Sequence, residues 1–482
     1  MKIKKQYIKS SVLLILAVIT FSCSDDYLEV VPKGSLIASK VSDYDRLLDD
    51  PALNTLSNAL IPMGDEVAAV EPFFSNTDIR NQRLFRWDDE IYNAGQTPDE
   101  LTNLNAVYTY NKVIAEVMNA TEGTDAQKRA LLAEAKIGRA TSYFALINYY
   151  GKPYNAATAA TDLGYPIITQ SDITLTNFTR NTVEEVYDFI LSDITEAIPD
   201  LPVVLYKRNR ASKIIGEALL GKVLMFKGEF TEASNHLQSA IDLMSSSNLP
   251  VELYNYNDTF SDEGAFMPIN FFFGPTYPIP KDNKEIIYDK ASNNIWAFIQ
   301  NEIVIKPETA QLYNSSDFRL NFFTNMQAFG FEPVYTKGML RRYGPFNNQI
   351  GVTIPDLILL SIEAKARLGS QESAVADLES FRANRMPVDD ASIPADVAAD
   401  QDKLVKYIFE ERIREFSVCG YRWLDMRRLS VDAKYSNLVN YTHDVYDEEG
   451  NLIKSHQLKP ERLVLRFGQK VKAQNPNLID NP

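Results

Sequence analysis

Cysteine occurs twice in this chain of 482 residues, at Cys23 and Cys419, and histidine three times, at His236, His443 and His456. So few thiols and imidazoles leave little from which to build a transition-metal site, and no cofactor is expected. Positive charge is also scarce: 49 Lys and Arg stand against 64 Asp and Glu, a net charge of −15. That balance argues against a nucleic-acid surface, which needs clustered cations to neutralise phosphate, and against broad adsorption to anionic headgroups. A nucleophile elbow, an HExxH helix and a phosphate-binding glycine loop are missing, so no catalytic residue is assigned. What the chain has instead is rings. With 25 Tyr and 25 Phe, aromatics reach 11% of a composition that is otherwise ordinary for a globular protein, 45% hydrophobic and 23% charged.

The N-terminus reads as a secretory leader. Lys2, Lys4, Lys5 and Lys9 precede the apolar run 12–21, which is too short to span a bilayer. Ser22-Cys23-Ser24-Asp25-Asp26 then resembles a bacterial lipoprotein cleavage site, with Thr20 where Leu is usual and Cys23 acylated as the new first residue. Several acyl chains on one residue anchor stably where a single chain is marginal. Cys419 is then alone. It lies between Val418 and Gly420 with no His near in sequence, so it reads as a small buried apolar residue and not as a nucleophile.

Helical periodicity dominates the middle of the chain. Residues 101–121, 126–150 and 182–198 carry apolar side chains at three-to-four spacing, with Thr124 and Asn181 or Thr182 as caps. Gly228, Ala233 and Leu237 recur as Gly369, Ala374 and Leu378 with identical spacing, each set at the turn between two helical runs. This is the small-residue logic of tetratricopeptide-like units, and a weaker third copy falls near 105–150. Segments 50–96 and 255–352 break the pattern with Pro, Gly and large aromatics.

Residues 405–428 form the most informative stretch. Val405, Phe409, Ile413 and Phe416 share one helical face, Glu410 and Arg414 stand at i,i+4, and Gly420 marks the stop before a second short helix over 421–429. By physics alone this is a helical hairpin with a charged, solvated outer face.

The wording of that stretch says more. Glu411, Arg412, Glu415, Phe416, Gly420, Arg422, Trp423, Asp425, Met426 and Arg428 closely resemble the C-terminal signature of the SusD/RagB family. Ala133, Glu134, Ala135, Arg139, Ala140, Tyr143, Phe144, Leu146, Tyr150 and Gly151 resemble its AEA…YF helix, Asp25–Pro32 its opening, and the final NPNLIDNP its close. The resemblance implies a mainly α fold, a SusD-like α-helical scaffold with tetratricopeptide-like helix pairs plus irregular loops and small β elements. It implies a leader over 1–22, an N-terminal region 23–210 and a C-terminal region 211–482 in one compact unit. It further implies an outer-membrane lipoprotein facing the cell exterior that binds glycan and delivers it to a SusC-like TonB-dependent transporter, without catalysis.

Sugars present an apolar C–H face and an edge of hydroxyls, met by flat rings and planar polar groups. On that logic Trp87, Tyr92, Phe273, Tyr277 and Trp296 are candidate platforms, and Asn81, Arg83, Asp289, Asn293 and Asn294 candidate hydroxyl partners. Trp423 is assigned to structure. Capture of peptides by the same kind of uptake complex, and an exported glycosidase with paired carboxylates, are the alternatives.

Overall fold

The computed structural model describes residues 38–96, 98, 102–269, 276–330 and 332–482. The leader, Cys23, the Asp25–Pro32 opening and Phe273 lie outside the described residues. Eleven helices of eight or more residues occur among those described: α1 Val41–Leu48, α2 Ile79–Arg86, α3 Thr102–Glu116, α4 Asp125–Tyr150, α5 Val183–Ala197, α6 Lys213–Lys227, α7 Phe230–Leu243, α8 Ile354–Arg367, α9 Gln371–Ala383, α10 Gln401–Phe416 and α11 Tyr421–Ser430. From α3 to α9 each helix packs against its neighbour in sequence, so the scaffold is a stack of antiparallel pairs.

The expected caps are present. Thr124 Oγ1 accepts from Gln127 N at 3.2 Å while Gln127 Oε1 accepts from Thr124 N at 2.8 Å. Thr182 and Glu185 repeat this reciprocal arrangement at α5. The repeat is real in three dimensions. Gly228 and Gly369 end α6 and α8 with φ of +81° and +82°, a left-handed turn that a side chain would strain. The equivalent Ala233 and Ala374, and Leu237 and Leu378, are wholly buried in the following helix. Contact across the first pair is close enough that a Cβ on Gly221 would lie 2.6 Å from Leu237 Cγ.

Small β elements tie distant segments onto this stack. A four-stranded sheet has β1 Val67–Val70 between β4 Ile303–Ile305, antiparallel to it, and β9 Thr442–Tyr446, parallel to it, with β10 Leu452–Gln457 at the edge. Three two-stranded pairs complete the set: β2 Ile286–Tyr288 with β8 Val352–Thr353, β3 Ala291–Asn293 with β7 Asn347–Gln349, and β5 Phe323–Thr324 with β6 Arg341–Arg342.

The C-terminal hairpin corrects the solvated-face expectation. Val405, Phe409 and Phe416 are buried and Ile413 half-buried, but Glu411, Arg412, Arg414, Arg422, Asp425, Arg427 and Arg428 are buried too. The charged side faces other layers of protein. Lys222, Asp356, Arg412, Asp425, Arg428, Glu363, Arg367 and Asp432 form one alternating chain of ion pairs, each link 3.0 Å or shorter. A second network sets four arginines (Arg319, Arg382, Arg385, Arg414) against four carboxylates (Glu285, Asp317, Glu411, Glu415). Burial works to raise the Asp425 carboxyl, yet the fields of Arg412 and Arg428 hold it down at about 2. Arg414 takes Glu411, at 2.7 Å, as its main partner; the anticipated Glu410 pairing is looser, at 3.9 Å. Gly420 has φ of +87°, but it opens α11, and Ser417 closes α10.

Candidate ligand-binding site

The two irregular segments meet at one exposed face. Its frame is the β3–β7 ribbon, in which Asn293 lies opposite Asn347 and Ser292 opposite Asn348. Alternation along the strands turns Asn293 and Asn347 to solvent and Ser292 and Asn348 inward. Asn348 Nδ2 donates to Cys419 O at 2.7 Å, which fastens the ribbon to the turn between α10 and α11. Asn294 fixes the adjoining corner. Its Oδ1 accepts from Ala297 N, capping the short helix Ile295–Phe298, its Nδ2 donates to Val418 O, and its backbone N donates to Phe346 O at 2.6 Å.

That corner presents two rings to water. Phe298 and Phe346 are 40% and 39% exposed and meet edge to face with centroids 5.4 Å apart. Ile299, 47% exposed, extends the apolar surface. From segment 50–96, Asn58 Nδ2 donates to Asn293 O at 2.9 Å, and Arg80 Nη1 donates to Asn58 Oδ1. The result is paired rings at the end of a ribbon that exposes the Asn293 and Asn347 amides, a surface able to stack on an apolar ring face and bond its hydroxyl edge.

Beside it a cavity of about 110 Å³ opens between the ribbon, Tyr277, Phe322, Arg342 and the α10–α11 turn. Cys419 is on its wall, with the thiol pKa pushed up by burial, so the sulfur is a neutral wall atom there. Among the described residues no group of three or more His, Cys, Asp or Glu is placed to hold a metal ion.

The residues singled out from sequence fall in three places. Asn293 lies on the exposed face, and half-buried Tyr277 lines the cavity with its hydroxyl 3.4 Å from Glu285. Asn294 and Trp296 lie beneath as support, Trp296 only 1% exposed, and Asp289 is half-buried at the ribbon's base with its carboxyl pKa raised by burial. Trp87, Tyr92, Asn81 and Arg83 gather instead in and just after α2. Trp87 is no platform: it closes α2, donates Nε1–H to Met63 O and stacks on His443 at 3.7 Å. Tyr92 is buried as well, Asn81 donates to Thr77 Oγ1, and Arg83 is half-buried and donates to Ile91 O and Asn93 Oδ1. Phe298, Phe346, Asn347 and Arg342 were not singled out. The run Phe346-Asn347-Asn348-Gln349, a ring followed by three planar amides, carries the signal that would have found the ribbon.

Comparison with known proteins bears on what this face serves. Residues 26–225 match the SusD-like family described as starch-binding and associating with outer membrane, and residues 354–471 match the SusD family. The chain belongs to the SusD/RagB family. Its curated SusD-like relatives are distant. One from Formosa agariphila is 22% identical over 356 residues, 64% of this chain and 68% of that one. One from Bacteroides ovatus is 23% identical over 276 residues, 53% of this chain and 47% of that one. Among solved structures, a SusD superfamily protein from Bacteroides vulgatus superposes with TM-score 0.67 at 16% identity, covering 92% of this chain and 99% of that chain. A laminarin-binding SusD-like protein superposes with TM-score 0.62 at 17% identity, covering 92% and 99%. At such identities the likeness shows the SusD fold. None of the helices among the described residues is long and apolar enough to cross a membrane.

Proposed function

We propose that this SusD/RagB protein is a lipid-anchored outer-membrane protein that binds glycan at the cell exterior. It passes the glycan, uncleaved, to a SusC-like TonB-dependent transporter. The observation that carries the reading is the Phe298–Phe346 pair set among the exposed amides of Asn293 and Asn347. Rings left in water at the end of a ribbon this firmly fastened cost hydrophobic free energy unless something covers them, and a sugar's C–H face suits the purpose. The family match and the laminarin-binding protein of the same fold support a glycan as the cover. Anchoring through Cys23 fits the leader and the acidic Asp25-Asp26 that follow it.

Retention on immobilised polysaccharides, run beside a peptide panel and with the eluted glycan analysed for new reducing ends, tests the binding half. Retention of intact glycan is expected. Peptide binding with no glycan retained would transfer the face to the peptide alternative, and cleavage would make the protein a hydrolase. Recovery of a β-barrel transporter with the protein from detergent-solubilised outer membranes tests the delivery half.

A further inference from the structure

The cavity beside the exposed face holds a cation without a counter-ion. Arg342 is half-buried on its wall, and among the described residues no carboxylate oxygen lies within 4.0 Å of its guanidinium. Among the described residues its one side-chain hydrogen bond runs from Nη1 to Ser417 O at 3.2 Å; the rings of Phe322 and Phe323 lie 5.6 and 5.5 Å from its central carbon. Glu285 and Glu415 share the wall but are already committed. Arg385 holds both at 2.8 Å, and Arg319 also holds Glu415. Arg342 is therefore left without a carboxylate of its own. Around it the wall offers the Gln349 amide, which also reaches Asp289, the Thr353 hydroxyl, which also reaches Tyr421, and Asn347 at the exposed ribbon edge.

A guanidinium in an aromatic-walled cavity gives up part of its hydration, and an unpaired one stays uncompensated until an anion arrives. The five donors of arginine match a carboxylate in bidentate geometry, and the low-dielectric wall strengthens that pair. Size agrees. A water needs roughly 10–15 Å³ of such volume, so about 110 Å³ admits a carboxylate with the ring edge that carries it. The ribbon residue Asn347 belongs to both places, so a sugar stacked on Phe346 can send a substituent inward past it.

We propose that Arg342 seats the carboxylate of a uronic acid, and that the glycan taken by this face is acidic. The inference rests on the reading of the face as a glycan site. It also answers a difficulty set by the net charge of −15, which repels acidic glycans at long range and leaves their capture to a local cation.

Titration calorimetry on the purified protein with oligogalacturonate and oligoalginate, each beside its methyl ester, separates the carboxylate from the sugar backbone. The acid form should bind at least about tenfold more tightly than its ester. Arg342→Gln should erase that difference and leave affinity for the ester unchanged. Asn347→Asp, an exposed substitution that does not burden folding, should weaken the acid form by a larger factor than the ester, because it sets a second carboxylate against the incoming one. Equal affinity for acid and ester, or a preference that survives Arg342→Gln in a variant with an unaltered melting curve, would overturn the proposal while the glycan face stands. Acidic peptides retained through Arg342 with no acidic glycan bound would also overturn it. Failure to bind any glycan, neutral or acidic, would bring down the face itself.

Discussion

Glu411 offers the sharpest test of how the scaffold is held together. Its side chain is fully buried, and three guanidiniums converge on it: Arg319 and Arg414 at 2.7 Å and Arg382 at 2.6 Å. Burial favours the neutral acid, but the fields of Arg319, Arg414 and Arg382 prevail and hold its pKa well below the usual carboxylate range. Glu411→Gln keeps the shape and removes the charge, leaving Arg319, Arg382 and Arg414 without the carboxylate they share. Removing one partner of a buried ion pair costs about 3–5 kcal/mol. Unfolding entropy of about 2.1 cal/mol/K per residue gives about 1 kcal/mol/K for a chain of this size. The melting temperature should therefore fall by about 3–5 °C if the chain unfolds as one unit. Glu410→Gln, one residue away and partly solvated, is the control and should move it by less than about 1 °C. Differential scanning calorimetry at pH 7 in low and high salt decides the matter. The Glu411 effect should persist in high salt because buried pairs are poorly screened. A Glu411→Gln protein that melts with the control would refute the argument that this network is a structural keystone.

Other consequences are equally open to measurement. Gly221→Ala pushes a methyl against Leu237 and should destabilise by about 1–3 kcal/mol in urea unfolding, with no change in glycan retention. Glu66 is buried, its Oε2 without a partner, and burial reinforced by Asp65 lifts its pKa to about 7 from 4.5. A carboxyl raised this way contributes stability that is complete below pH 4.5 and is lost as pH rises toward 7. The stability gap between Glu66→Gln and the parent should thus shift in the variant's favour by on the order of 1–3 kcal/mol between pH 4 and pH 8. Breaking the bidentate Arg422–Asp65 clasp, with contacts of 2.5 and 2.9 Å, by Arg422→Ala should cost about 3–5 kcal/mol by denaturant melt, since it strands a buried carboxylate.

Much of the frame was legible in local spacing. Gly228 and Gly369 announce their turns because only the residue at that position and its helix neighbours decide the conformation, and Thr124 and Thr182 announce their caps for the same reason. Spacing also says which positions of α10 share a face. What covers the opposite face it cannot say, because beside the local Arg414 and Asp425 the partners of Glu411 and Arg412 are Arg319, Asp356 and Arg382, farther off in sequence. A charged stripe therefore looks solvated in the sequence, although it is the seam between layers. Trp87 and Trp296 stand out in the sequence for ring size, the property that drives large rings into the core, and both are buried. Phe298 and Phe346 stay in solvent because Asn294 bonds Phe346 O and closes the corner, a contact between residues some fifty positions apart. Asn293 stands in a run of amides, Asn293-Asn294, and its opposite number Asn347 sits in another, Asn347-Asn348-Gln349.

Binding of intact glycan to the Phe298–Phe346 face is the claim on which the rest depends, and the double variant Phe298→Ala/Phe346→Ala tests it most directly. Affinity electrophoresis through polysaccharide-containing gels should show the parent retarded and the variant running freely, with a melting temperature lowered by no more than about 3–6 °C and the variant still folded at the assay temperature, because both rings are part-exposed. A variant retarded as strongly as the parent would contradict the account.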